Sequence, residues 1–187
     1  MAIRPIIRMG HPTLRRPARP VQPEEIGNDA MHRLLEDMRD TLRHAGGIGL
    51  AAPQIDESLR LAIIEIPGGP SRYGELEPMP STLFINPRIE VLDPVRAGYW
   101  EGCLSVPGLR GFVERPQHVL VAFQNLRGET LELAFSGFQA TVVQHELDHL
   151  DGKLFIDRIT DSTKLAFEDE YKSYIEQPSP PGDPQAV

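Results

Sequence analysis

The sequence predicts an α+β domain in which short antiparallel strands pack around one central helix, with a further helix near the C-terminus. Two observations predict it. Runs rich in branched and aromatic residues fill the middle of the chain, and helical periodicity appears on either side of them. Nowhere do strands and helices alternate in the manner of a βαβ unit. The length of 187 residues suits one domain, taken as 1–176, followed by a proline-rich segment 177–187.

After an opening rich in Arg and Pro, Met31, Leu34, Leu35, Met38 and Leu42 recur at helical spacing, with Asn28 as N-cap and Gly46-Gly47 as stop. Leu61–Ile66 is an apolar run of strand type. Residues 67–81 hold four prolines and three glycines and read as a long surface loop. Segments 82–92, 112–113, 119–124 and 130–135 read as strands, the last two joined by a hairpin turn at 125–128. A second helix is expected over 138–151, capped by Gly152, and a third over 163–175. The remaining segment, QPSPPGDPQAV, has little to bury and is expected to be disordered.

A hydrophobic content of 40% and a charged content of 25% are ordinary for a globular protein. The net charge of −8 argues against DNA binding, which needs clustered cations. Arg4, Arg8, Arg15, Arg16 and Arg19 form the one basic stretch, and a transient contact with ribosomal RNA is the expectation it carries. The opening lacks the apolar run of a secretory signal, and no stretch is long enough to span a membrane, so no membrane partner and a cytoplasmic location are expected. The single cysteine, Cys103, cannot form an intrachain disulfide and is a small core residue, a nucleophile or a metal ligand.

The motif His145-Glu146-Leu147-Asp148-His149 is H-E-x-x-H. On a helix its two histidines and Glu146 share an arc of about 100° with Phe138, whereas Thr141, Gln144, Asp148 and Asp151 form a polar arc. Burying two imidazoles and a carboxylate together is costly unless they have partners, and a metal ion removes that cost. The plainer alternative is two core histidines satisfied by hydrogen bonds. A catalytic metal needs a third protein ligand and an open position. A third histidine at position 155 is ruled out, because that residue is Phe. Cys103 is one candidate; Glu168, Asp169 and Glu170 are others, and with them the chain would be a zinc endopeptidase. A closed structural site would need four ligands, and there is no second Cys.

Three segments, Gly47-Ile48-Gly49-Leu50-Ala51-Ala52-Pro53-Gln54, Glu101-Gly102-Cys103-Leu104-Ser105 and Gln144-His145-Glu146-Leu147-Asp148-His149, together resemble the peptide deformylase family. The resemblance covers about residues 4–160, with 67–81 longer than in short members. It implies a hydrolase that removes the N-formyl group of the initiating methionine from newly made polypeptides and releases formate. It also implies that Cys103, His145 and His149 hold one divalent ion, Fe²⁺ physiologically, with Zn²⁺, Ni²⁺ or Co²⁺ able to substitute. Glu146 would be the general base and then acid for an attacking water, with the Gln54 side chain and the Leu104 backbone N–H stabilising the oxyanion.

The same resemblance implies that Ile48, Tyr99, Phe138, Thr141 and Val142 line the pocket for the methionine side chain. Gly49 would let an extended peptide pair with the backbone, Arg110 would touch the peptide further along, and Glu101 and Arg115 would form a supporting ion pair. Thr141 falls on the polar arc, which sits poorly with a pocket role.

Overall fold

The computed structural model describes residues 2–71 and 74–176; segment 177–187, expected to be disordered, lies outside the described residues. Strands β1 (Gly49–Ala51), β2 (Leu61–Ile66), β5 (Met79–Cys103), β6 (Val106–Gln124) and β7 (Thr130–Ser136) form one antiparallel sheet in the order β1-β2-β5-β6-β7. Strands β3 (Gly69–Ser71) and β4 (Gly74–Leu76) form a separate hairpin, and β8 (Leu165–Phe167) pairs with β6.

Helix α1 (Asp29–Ala45) starts and stops on local chemistry. The Asn28 side chain accepts from the Met31 N–H, and Gly46 takes the left-handed conformation at φ 66° that ends the helix at low cost. Met31, Leu35, Met38 and Leu42 pack against Leu50, Ile55, Ile63 and Ile85. Helix α2 (Gly137–Leu150) buries Val143, Leu147 and Leu150 against Ile64, Phe84, Val119 and Val121. Strand β2 lies between the two clusters, sending Leu61 and Ile63 to one and Ala62, Ile64 and Ile66 to the other. That is why its sequence is apolar without alternation, as strands buried on both faces are.

Three expectations need correction. Residues 67–81 are not one loop. Gly68 and Gly69 adopt φ 79° and 87° and turn the chain into the β3–β4 hairpin, and Met79 already pairs with Ile66. Pro70 is accommodated because a two-stranded hairpin is all edge. The strands of the middle are also longer than expected. Pro94, Gly98, Pro107 and Pro116 look like interruptions, yet β5 and β6 run through them as one long hairpin with register shifts near Asp93 and Glu101 that absorb the misfits. The third helix begins late, because Leu165–Phe167 adds itself to the free edge of Leu109–Gly111; helical backbone follows over Glu168–Glu170 and, as π-helix, Tyr171–Ile175.

The opening segment pins the elements that carry the site. Ile7 donates to the Gln54 carbonyl at 2.9 Å, Met9 to Ser105 at 2.8 Å and Ala18 to Leu150 at 2.9 Å. Its basic character is largely spent locally: Arg4 pairs with Glu57 and Asp37, Arg15 with Asp157 and Arg19 with Glu25, while Arg8 and Arg16 are exposed. No described helix is long and apolar enough to cross a membrane.

Candidate active site

The H-E-x-x-H sequence lies in the last two turns of α2, with His145, Glu146 and His149 all buried. Cys103 ends β5 at the tight turn into β6, and this turn brings its sulfur 3.3 Å from His149 Nε2. Ligand atoms of Cys103, His145 and His149 lie within 4.8 Å of one another, the one such cluster among the described residues. Tetrahedral coordination by sulfur and imidazole would put S and N about 3.6 Å apart, so the trio is close to a ready-made site. Glu168, by contrast, is committed to an ion pair with Arg110 at 2.7 Å.

The donors are prepared for a cation. Burial pushes the Cys103 thiol up, but the adjacent His149 and His145 outweigh it and hold the thiol at about 5, so a thiolate is present at neutral pH. Burial opposes a charge on His145 as well, yet Cys103 and Glu101 raise it well above the ordinary imidazole range. A divalent ion would displace that proton and take its place as counter-charge to the thiolate. Glu101 Oε2 lies 2.7 Å from His145 Nδ1 and can only accept there, so Nδ1 carries the proton and Nε2 is left as the ligand atom. The residues fit a bound metal.

Behind this contact runs a chain of buried charge. Arg115 forks onto Glu101 at 2.6 and 3.1 Å and reaches Asp148 at 2.8 Å, and Asp148 in turn is gripped by Arg158. The expected Glu101–Arg115 pair is present, though buried behind the histidine. Asp148 and Arg158 escaped the sequence reading, because a polar arc on a helix looks like a solvent face. In the fold Thr141 is 2% and Asp148 6% exposed, so that arc is largely covered too.

Glu146 stands beside the trio without belonging to it. Its carboxyl is buried, Oε2 has no hydrogen-bond partner among the described residues, and burial raises its pKa above the usual carboxylate range. A side chain on Gly49 would come within 2.6 Å of Glu146 Cδ. Any larger residue at position 49 would have to displace the carboxylate behind it, a constraint that peptide pairing alone does not supply. Gln54 sits in a 3-10 turn, Ala52–Ile55, where its Oε1 accepts from the Ala51 N–H at 2.8 Å. That bond turns the amide so that Nε2 faces the site, 3.2 Å from Ser105 Oγ and 3.6 Å from Cys103 Sγ.

These groups open on a cleft of about 700 Å³. Ile48, Gly49, Tyr99, Phe138, Thr141 and Val142 all line it, as do Leu104 and Arg110. The Tyr99 and Phe138 rings meet edge to face at 5.4 Å. Leu76, Leu109 and Glu176 were not anticipated, and Glu168, weighed above as a metal ligand, lines the cleft instead. Leu76 comes from the β3–β4 hairpin and Glu168 and Glu176 from the C-terminal stretch, the two segments whose structure the sequence hid, while Leu109 lies on β6 where the C-terminal stretch pairs with it.

Fold and site together define a class: hydrolases built on an H-E-x-x-H helix packed against antiparallel sheet. Residues 3–165 match the profile of polypeptide deformylases, and the chain belongs to that family. The peptide deformylase of Leptospira biflexa is 42% identical over 88% of this chain and 92% of its own, and peptide deformylase 2 of Pseudomonas syringae is 45% identical over 89% and 93%. A class I type b peptide deformylase from Acinetobacter baumannii, solved with Met-Ala-Ser bound, superposes with a TM-score of 0.79 at 37% identity, covering 84% of this chain and 98% of that one. The Thermotoga maritima peptide deformylase gives 0.75 at 36% identity, covering 86% and 100%.

Proposed function

We propose that this enzyme removes the N-formyl group from the initiator formylmethionine of newly made polypeptides, consuming water and releasing formate and a free amino terminus. The observation that carries the reading is the position of Glu146: a buried carboxylate with an unpartnered oxygen, lining the cleft beside the Cys103–His145–His149 trio and not needed to complete it. Cys103, His145 and His149 would hold the divalent ion, Fe²⁺ by preference with Zn²⁺, Ni²⁺ or Co²⁺ as substitutes, and when bound it supplies Lewis acidity and acidifies water.

The chain's own groups do the rest. Glu146 accepts the proton of the attacking water and returns it to the nitrogen of the departing amine, and its burial, which raises its pKa above the usual carboxylate range, suits a group that both takes and gives a proton. Gln54 Nε2 and the Leu104 backbone N–H are the donors for the oxyanion that forms from the formyl oxygen. Ile48, Tyr99, Phe138, Thr141 and Val142 take the methionine side chain, and the strand around Gly49 pairs with the peptide backbone. A transient contact with the ribosome would fall to Arg8 and Arg16, and the work is assigned to the cytoplasm, where new chains emerge. Formate release from formyl-Met-Ala-Ser should be lost with a chelator and restored by metal, with unformylated Met-Ala-Ser left uncut. Cleavage of the unformylated peptide, or chelator-resistant turnover, overturns the reading.

A further inference from the structure

The C-terminal stretch over residues 166–176 lies beyond the residues that match the family profile, yet it builds part of the cleft wall. Strand β8 pairs with Leu109, Arg110 and Gly111, and Tyr171 is buried with its ring 5.2 Å from that of Trp100. The stretch is therefore docked, and it carries Glu168 onto Arg110: Oε1 accepts from Arg110 Nη2 at 2.7 Å and also lies 3.3 Å from Lys172 Nζ.

Arg110 itself is held tightly. Its side chain is 14% exposed and lies over Gly102, where an added Cβ would meet the guanidinium carbon at 2.6 Å, one residue before Cys103. Its Nε is buried without a hydrogen-bond partner among the described residues. A buried N–H left unpaired is costly, and a turn of the guanidinium toward a peptide carbonyl in the cleft would relieve it. Arg110 lines the cleft from β6, whereas Tyr99, Phe138 and Val142 line it from β5 and α2; with the first side chain assigned to the latter in the deformylase reading, Arg110 is left to meet the chain that follows it.

We propose that Glu168 is a specificity-determining residue: by bonding one edge of the Arg110 guanidinium and offsetting its charge, it leaves Arg110 to read backbone carbonyl oxygens and keeps the cleft from selecting acidic residues downstream of the formylmethionine. This rests on the deformylase reading. Glu168 is held below the usual carboxylate range, first by its bond to Arg110, so the cancellation persists at neutral pH. A free guanidinium beside the substrate would take a carboxylate in its fork and favour acidic peptides. An enzyme that must accept every new chain gains from suppressing that preference.

The test compares kcat/KM on formyl-Met-Ala-Glu, formyl-Met-Ala-Ser and formyl-Met-Ala-Lys amides for the wild type and for Glu168→Gln and Glu168→Ala. Wild-type values should agree within about threefold. Both variants should raise the Glu-to-Lys ratio about fivefold or more, and 0.5 M NaCl should shrink that gain, as screening requires. A ratio that does not move, or an equal loss on all three peptides, overturns the inference. Adding Arg110→Ala to Glu168→Gln should abolish the new preference, and its persistence would equally count against the proposal. No turnover of any peptide by the metal-loaded wild type would instead overturn the deformylase reading, and this inference with it.

Discussion

The carboxylate of Glu146 fills the space that a side chain on Gly49 would need. One residue belongs to the first strand of the sheet and the other to the helix bearing the histidines, so the cleft wall and the carboxylate proposed to move the proton are packed directly against each other. Gly49→Ala should therefore push Glu146 out of line. The expected result is a fall in turnover of about 100-fold with metal content retained, because misplacement by about an ångström is enough to cost that much. Formate release alongside metal analysis checks it, and near-normal turnover would show that Glu146 has room to move.

Separating ligation from proton transfer gives a second prediction. Glu146→Gln should keep one metal per chain and lose about 10²–10⁴-fold in turnover, the usual contribution of a positioned acid–base group. A variant that stays active at neutral pH removes Glu146 from the mechanism.

Asp148 makes stability depend on pH in a stated direction. Burial alone would raise its pKa, but Arg158 and Arg115 outweigh burial and lower it from the ordinary 3.8, and Glu101 is likewise lowered from 4.5 by His145 and Arg115. A depressed carboxylate contributes its stability above the unfolded value and loses it as pH falls through the folded one. Asp148→Asn should cost about 1.5–3 kcal/mol at pH 7, since it strips a charged partner from buried Arg115, which keeps its fork on Glu101. The gap in melting temperature between wild type and variant should then narrow as pH drops below 3.8. A gap that stays constant down to pH 3 would mean Asp148 is not the linked group.

The metal itself supplies a fourth prediction. Apoprotein reconstituted without oxygen should turn over faster with Fe²⁺ than with Zn²⁺, although Zn²⁺ binds N and S ligands more tightly, because Zn²⁺ is content with four ligands and the reaction asks for expansion. Air should inactivate the Fe²⁺ form by oxidising the ion or the Cys103 sulfur. Equal rates for the two ions on one formyl-Met peptide would refute the preference for iron.

What could be read in advance was what depends on neighbours in sequence. Asn28 and Gly46 bound α1 through their own backbone and side chain, and His145 and His149 share a face because they are one turn apart. The Cys103–His145–His149 trio was legible through motif and resemblance together. Asp148 was not, since its partners Arg115 and Arg158 lie 33 and 10 residues away, and only the fold covers the polar arc. Leu165–Phe167 was missed for a similar reason: as a strand it exists only because β6 presents a free edge at Leu109–Gly111. The β3–β4 hairpin was hidden by prolines and glycines that mark turns but do not say what the turns connect.

The clasps of the opening segment bear on how the molecule assembles. Backbone N–H groups of residues 7, 9 and 18 reach carbonyls of residues 54, 105 and 150. During synthesis the last of these clasps, from Ala18 to Leu150, cannot close until the H-E-x-x-H helix has been made. The contacts that finish the cleft are among the most distant in sequence, so its closure is a late event that waits on nearly the whole chain. Until then the apolar faces of α1 and β2 stand open, the interval in which a new copy is most exposed to aggregation.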